Sequence, residues 1–510
     1  MSSDTPFQAL SDLIRGHAQA QPDAPAVRDE HQSLSYRELD LLMDRVAAAL
    51  QRDGVQPGEA IAICALNSAR YAALFLGALR AGVVVAPLAP SSTAQSLASM
   101  LRDGQARHLF LDKGVQDLVA EAGTPVPCIS LDGLAPGRAF DDWLAADDAR
   151  PQPVAVTPGS AFNIIYSSGT TGTPKGIVQS HGMRAAHVRR GGLYGYGPGS
   201  TTLLATPLYS NTTLVVFFPT LGFGGCVQLM AKFDATRYLQ LSQQHRVTHT
   251  MLVPVQYQRI MALAQFGDYD LSSFRFKFCT SAPFLAELKA RVLARWPGAL
   301  TEFYGMTEGG GSCILDAHLH PAKLHTVGQP AEGHDIRLID EEGREVGPGE
   351  PGEVVGHSPG MMTGYHNQPE KTREAEWFDA GGKRFIRTGD VGRFDADGFL
   401  ILCDRRKDMI ISGGFNIYPS DLEAQLREHP AVDDVAVVGV PSAQWGETPV
   451  AFVVRGKGHS VAPEEIMAWY NQRAGKTQRL ADLRWMDELP RSPIGKVLKR
   501  DLREAYVLSV

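Results

Sequence analysis

Cysteine is scarce and scattered. The six in the chain, Cys64, Cys128, Cys226, Cys279, Cys313 and Cys403, are widely separated and none forms a C-x-x-C pair. That spacing excludes a zinc knuckle and the dense disulfide frame of a small secreted domain. Free thiols in a reducing compartment are expected instead. Long apolar runs are also missing. Tyr71–Pro90 is broken by Arg80, Gly82 and Pro87, and Leu214–Met230 by Pro219, Gly222, Gly224 and Gly225. Both fall short of the roughly 20 clean apolar residues that a membrane helix needs. A basic excess is absent too: 49 Lys and Arg stand against 56 Asp and Glu, a net charge of −7. No general nucleic-acid binder is expected from that balance. Met1–Arg15 carries Asp4 and no apolar core, and the last residues are Leu508-Ser509-Val510. Neither end reads as a secretory or peroxisomal signal, so a cytoplasmic location is expected, without stable membrane insertion.

What is present is an alternation. Tyr36–Leu50 has apolar residues at helical spacing, Ala60–Cys64 reads as a buried strand, and Ala69–Arg80 as a helix. Val83–Val85 and Leu97–Asp103 continue the pattern, which resumes at Thr201–Ala205 and His249–Val253. Strands alternating with helices imply a parallel sheet covered on both faces. After about residue 325 short strands (Asp335–Asp340, Gly352–Gly356) alternate with Gly/Pro turns, as in a small β-rich unit. A last segment begins near Asp404, with strand-like Val435–Val440 and Val450–Val454 and a helix over Pro463–Ala474. The expected fold class is therefore α/β. It comprises a large N-terminal domain (1–403) of doubly wound sheets with a β-rich subdomain over about 326–403. A small mobile α+β domain follows (404–510). The charged link Cys403–Asp408 is expected to be exposed.

Tyr166–Gly176 packs five Ser/Thr hydroxyls, three glycines and one lysine into eleven residues, behind the strand-like run Ala161–Tyr166. Glycines let backbone N–H groups approach a ligand, hydroxyls add donors, and the lysine adds a point charge. The combination suits a polyphosphate. It is not a Walker loop, because Pro174 precedes Lys175 and Gly176 follows it. The alternative is a flexible linker, which rarely follows a buried strand or ends in Pro-Lys-Gly.

Four further segments carry chemistry. In Tyr304-Gly305-Met306-Thr307-Glu308 the ring can stack on a base and Glu308 can ligate Mg²⁺; a solvated glutamate after a turn is the alternative. In Arg387-Thr388-Gly389-Asp390 the aspartate can accept from ribose hydroxyls or form an Asx turn. Asp404–Pro419 leads from charged residues into a β run and the pair Gly413-Gly414, a linker that can also serve as a hinge. Pro490–Lys496 places a lysine on a Pro/Gly-shaped loop.

Taken in order, these segments resemble the adenylate-forming superfamily of acyl-CoA synthetases, peptide-synthetase adenylation domains and beetle luciferases. The likeness spans essentially the whole chain, from Leu34–Leu39 and Ala81–Leu88 onward. It implies two half-reactions: a carboxylate attacks the α-phosphate of ATP, then a thiol attacks the acyl-adenylate and releases AMP. By this resemblance Ser167, Ser168, Gly169, Thr170, Thr171 and Gly172 form the phosphate cradle, with Lys175 near the leaving pyrophosphate. Glu308 fits the Mg²⁺ ligand, and Thr307 a donor to the α-phosphate. Tyr304, with Gly305 and Met306, fits the adenine stack beside Ser281-Ala282-Pro283. Asp390 and Arg405 fit the ribose partners, and Lys496 the cation that bridges carboxylate and α-phosphate. Lys407 lines up with the hinge position, and Gly413 and Gly414 with the passage for a pantetheine arm.

The implied partners are a small carboxylic acid, ATP with Mg²⁺, and CoA as co-substrate; a homodimer is left open. The alternatives are a free-standing ligase that loads a carrier protein, a luciferase-type oxygenase, and a non-catalytic nucleotide-binding scaffold. The acyl pocket is expected at Tyr209, Ser210, Asn211 and Thr212; Gly309 and Gly310 either leave space for the acyl group or form a turn with no role in specificity. Ser210–Thr213 departs from the histidine or aromatic gate that the superfamily often has there, which implies a more polar or roomier wall. No arginine in these segments pairs with a second carboxylate, so a medium-to-long fatty acid or an aryl acid is expected rather than a dicarboxylate.

Overall fold

The computed structural model of the chain describes residues 7–167, 174–405, 407–412, 415–442, 444–456, 458–475, 478–492 and 495–508. It divides into two compact units. The first holds 1–324, 330–335 and 356–386; the second holds 325–329, 336–355 and 387–510. Asp404 lies inside the second unit.

In the first unit one sheet runs Gly364–Tyr365, Lys175–Ser180, Ala161–Ser167, Val84–Pro87, Ala60–Cys64, Leu109–Leu111, Cys128–Ser130, Arg138–Ala139. Its middle is parallel, as the alternation predicts. The Lys175 strand is antiparallel on both sides, to Ala161–Ser167 and to Gly364–Tyr365. A second sheet holds Thr201–Leu204, His249–Leu252, Phe276–Cys279 and Ala299–Gly305 in parallel, and continues to antiparallel Ser312–Asp316. Helices start where hydroxyl side chains cap them. Ser35 forms a capping box with Glu38 for Tyr36–Arg52, Ser68 caps Ala69–Arg80, Ser180 caps His181–Arg190 and Ser210 caps Asn211–Gly222. Thr93 starts its helix at Ala94, three residues before the apolar pattern begins at Leu97. A packed aromatic group, Phe75, Phe162 and Phe218, lies in the core.

In the second unit Asp390–Phe394 pairs antiparallel with Leu400–Arg405. A further sheet joins Ile410–Ser412, Phe415–Ile417, Val432–Ser442, Gly446–Arg455 and Asp482–Met486, covered by helices Pro419–Leu426 and Pro463–Asn471. The charged link is not the exposed segment that its composition predicts. Cys403, Asp404 and Arg405 belong to a strand and are half-buried; Lys407 alone of its described residues is exposed. Asp404 is held because its carboxylate accepts from the N–H groups of Arg405 and Ser420, at 2.8 and 2.9 Å.

Candidate active site

The hydroxyl–glycine stretch joins two paired strands. Ser167 and Lys175 stand opposite each other at the last register position of the hairpin. Ser168, Gly169, Thr170, Thr171 and Gly172 lie outside the described residues, so their expected role is untouched by the geometry. Lys175 is placed by something the sequence reading missed. Its Nζ sits 5.1 Å from the centre of the Tyr365 ring. The Tyr365 hydroxyl donates to Glu308 Oε1 at 2.8 Å. One side chain thus touches both the cation and the carboxylate. Burial, then the Glu308 charge, pushes the Tyr365 hydroxyl well above its ordinary range, so it stays a donor. Tyr365 is reachable because Gly364–Tyr365 adds to the free edge of the Lys175 strand, with Tyr365 opposite Ile177. No motif marks it; the only signal was a tyrosine 57 positions after Glu308.

Among the described residues no group of three or more His, Cys, Asp or Glu could hold a metal by itself. Glu308 offers one carboxylate, which fits Mg²⁺ completed by substrate phosphates and water. It is not the solvated glutamate of the alternative reading, because its oxygen is held by Tyr365 and its carbonyl accepts from Met362 N–H at 2.8 Å.

Thr307 is fixed from below. Its carbonyl accepts from Gln179 Nε2 at 2.7 Å. Gln179 belongs to a fully buried polar group with Asn163 and Arg184. The guanidinium of Arg184 donates to Asn163 Oδ1 at 3.0 Å, to Asn211 Oδ1 at 2.9 Å and to Gln179 Oε1. It also lies over the Phe218 ring at 5.3 Å. Burial lowers its pKa to about 9, so it is still a cation at neutral pH, held by amide dipoles rather than a carboxylate. Asn211 and Thr212 therefore do adjoin the nucleotide motifs: Asn211 through this group, and Thr212 Oγ1 through a 2.5 Å hydrogen bond to Ser281 Oγ. Ser281 has a left-handed backbone, φ +82°, which a serine rarely adopts and which favours a functional turn. Ala282 is half-buried and Pro283 exposed beside it. Tyr209 is half-buried and Ser210 is occupied as a helix cap.

Gly309 and Gly310 do not leave acyl space. A side chain on Gly309 would meet the Gly360 carbonyl at 2.1 Å, and its φ is +73°. One on Gly310 would meet Ile386 at 2.6 Å. The volume is filled by the protein, so these glycines serve close packing. Tyr304, Met306 and Thr307 are half-buried and Gly305 is exposed at the end of its strand.

In the second unit Asp390 and Arg405 are register partners and pair at 3.1 Å. Lys496 joins them. It sits on a tight turn, with Ser492 N–H donating to its carbonyl at 2.8 Å and Gly495 at φ +78°. Burial, then repulsion from Arg405, lowers the Lys496 pKa to about 8, although Asp390 pulls the other way. Lys407 is exposed in the turn where Asp408 and Met409 N–H groups donate to the Arg405 carbonyl. Gly413 and Gly414 lie outside the described residues, between strands paired Ser412 to Phe415.

The sequence profile of the AMP-binding enzyme family matches residues 14–366, and that of the AMP-binding enzyme C-terminal domain matches 421–496. Feruloyl-CoA synthase of Amycolatopsis sp. is 35% identical over 509 residues, 98% of this chain and 99% of that protein. Fatty acid–[acyl-carrier-protein] ligase ScoC of Streptomyces coeruleorubidus is 31% identical over 514 residues, 98% of this chain and 97% of that protein. The structure of amide bond synthetase McbA from Marinactinospora thermotolerans superposes with a TM-score of 0.86 at 29% identity, covering 98% of this chain and 99% of that one.

Proposed function

We propose the function from one premise: the chain belongs to the AMP-binding enzyme family. It is an AMP-forming acid–thiol ligase. A carboxylate oxygen attacks the α-phosphorus of ATP, the bond to the β-phosphate breaks, and pyrophosphate leaves. The CoA sulfur then attacks the acyl carbon, its proton is lost, and AMP leaves. The difficulty of the first step is charge: an anion approaches an anion, so cations and oriented donors must lower the repulsion. When bound, Mg²⁺ neutralises phosphate charge, with Glu308 as its protein ligand. Lys175 holds the leaving pyrophosphate beside the cradle of Ser167–Gly172. Thr307 donates to the α-phosphate. Tyr304, Gly305, Met306 and the Ser281–Pro283 turn take the adenine, and Asp390 and Arg405 the ribose. Lys496 bridges the incoming carboxylate and the α-phosphate.

The observation that carries this reading is the Tyr365 contact. It keeps a cation and a metal-competent carboxylate together beside the base of the hydroxyl–glycine hairpin. A buried structural pair would need no such spacing by a ring and a hydroxyl.

The acid is an aryl or fatty acid and the acceptor is CoA, as the name of the Amycolatopsis relative suggests. ScoC supports a second reading, in which the acceptor is a carrier protein. The lid domain starts at Asp404 with Lys407 as its hinge, and Gly413 and Gly414 pass the pantetheine arm. A cytoplasmic location and a homodimer belong to the same proposal. AMP release with a panel of acids, run with CoA, with a carrier protein and with neither, tests it. Thiol-dependent AMP formation supports the ligase; nucleotide binding without turnover under all three conditions overturns it.

A further inference from the structure

Arg184 and Arg190 occupy one helix, His181–Arg190, and live in opposite circumstances. Arg184 is surrounded by amide oxygens. Arg190 has the Phe303 ring, 5.5 Å from its guanidinium carbon, and no carboxylate or amide partner among the described residues. Its other charged or titratable neighbours are Tyr194, His187 and His334, and none supplies a negative charge at neutral pH. Burial lowers its pKa, with Tyr194 opposing. Arg190 is half-buried rather than sealed, so its guanidinium is partly solvated and keeps N–H donors available to an oxygen acceptor.

Arg190 lines a small pocket, partly open to solvent, whose free space is about 20 Å³, room for about one water or one ligand oxygen. Its wall is otherwise aromatic and aliphatic: Tyr194, Tyr196, Val216, Phe278 and Phe303, with His187 as the second polar group. His187 is held neutral by burial and by Arg184; its Nδ1 faces the Arg184 guanidinium at 3.4 Å, which leaves Nε2 as its donor. The cavity also continues from the expected acyl segment. Helix Asn211–Gly222 begins with Asn211 and Thr212 and gives Val215 and Val216, one turn further on, to the wall. Strand Ala299–Gly305 gives Phe303 to it immediately before Tyr304.

We propose that this cavity receives the far end of the acid, and that Arg190 selects acids bearing an oxygen acceptor there, a ring hydroxyl or a second carboxylate. The inference rests on the ligase reading and narrows its substrate class. The expected exclusion of acids with a second carboxylate rested on the segments near Tyr209 and Glu308, and Arg190 lies outside them. The reacting carboxylate stays at the nucleotide end, so no chemical step involves Arg190.

The test uses three acids of one skeleton: an aryl propenoate unsubstituted, with a ring hydroxyl, and with a ring carboxylate. kcat/KM for CoA-dependent AMP release is compared in the native protein and in Arg190→Met. The native protein should prefer at least one acceptor-bearing acid by about 10- to 100-fold, the range of a hydrogen bond to a charged group. Which one it prefers identifies the acceptor. Arg190→Met should erase that preference while changing the unsubstituted acid less than about threefold. Its Tm should change little, because the half-buried guanidinium makes no ion pair among the described residues. Arg190→Gln, which keeps donors, should retain part of the preference and stands in if the Met variant does not fold. No preference in the native protein, or an equal loss for all three acids, overturns the proposal and leaves Arg190 a packing residue over Phe303. AMP release with none of a wider panel would instead remove the ligase reading.

Discussion

Lys496 is where a single titration becomes visible. Its pKa of about 8 lies below the ordinary lysine value because folding buries it and sets it beside Arg405. The bridging role needs the ammonium. kcat/KM for ATP in the adenylation half-reaction should therefore fall as pH rises through about 8, since that ratio reports the free enzyme. In the ATP complex the phosphates should move the limb upward in kcat. Lys496→Arg, permanently charged, should lose the limb at a reduced rate. A limb that survives in Lys496→Arg refutes the assignment. For stability the sign is opposite to a gained ion pair. Between about 8 and the unfolded value the unfolded chain holds more protons, so this group's contribution rises with pH, and below 8 the fold carries the cost of the charge. Tyr365 makes a second residue-scale prediction. Tyr365→Phe keeps the ring under Lys175 and removes the donor to Glu308. Loss of a hydrogen bond behind a metal ligand typically weakens the metal site about 10-fold or more. The Mg²⁺ concentration for half-maximal adenylation should rise accordingly, with KM for the acid nearly unchanged; an unchanged Mg²⁺ requirement would show that Glu308 is not the ligand. Lys496 was singled out by its place in the order of motifs, since its Pro/Gly loop alone reads equally as that of a surface lysine. Tyr365 was not, because its role arises from an edge-strand pairing that no local pattern encodes.

Elements were legible wherever a hydrophobic period spoke alone. Ala69–Arg80 and Ala60–Cys64 appear as read: the strand is buried at all of its positions and the helix from Tyr71 to Leu79, as continuous apolar runs packed between layers are. Pro463–Asn471 stops before the expected Ala474 because Asn471 turns its side chain to bond Leu480 at both N–H and carbonyl, which closes the helix against the following loop. The strand Lys175–Ser180 hid its most consequential residue. Gln179 is a fully buried polar residue within that strand, and it links Asn163, Arg184 and the Thr307 carbonyl. Gln179→Leu leaves those groups unmatched in the core. It should cost about 3 kcal/mol or more in chemical denaturation, at roughly 1–3 kcal/mol for each unsatisfied group. Arg184→Met on that background should recover part of the loss, because the stranded cation goes with it. Simple additivity of the two changes in a double-mutant cycle would mean the group does not act as a unit.

At the scale of the whole chain, the order of motifs carried more than their individual form and pointed to the family, while the alternation of strands and helices pointed to the α/β class. Neither could divide the chain. Charge density suggested an exposed link at Cys403–Asp408, whereas Asp404 is tied to Ser420 and only Lys407 stands free in solvent among its described residues. The hinge we propose is Lys407, because a residue can absorb a large backbone rotation only where few contacts oppose it. The backbone N–H groups of Asp408 and Met409 are engaged by Arg405. Proline at 407 would therefore fix one φ without removing either of these hydrogen bonds. Lys407→Pro should keep adenylation, followed by pyrophosphate release, within about twofold of the native rate, since adenylation needs no turn of the lid. Thioester formation from preformed acyl-adenylate should fall at least about tenfold, since that step requires the rotation that proline resists. Lys407→Ala, which leaves φ free, should leave both steps near native. Equal loss in both half-reactions for the proline variant would mean that the substitution damages the Asp390–Arg405 turn itself, and would remove the hinge from position 407.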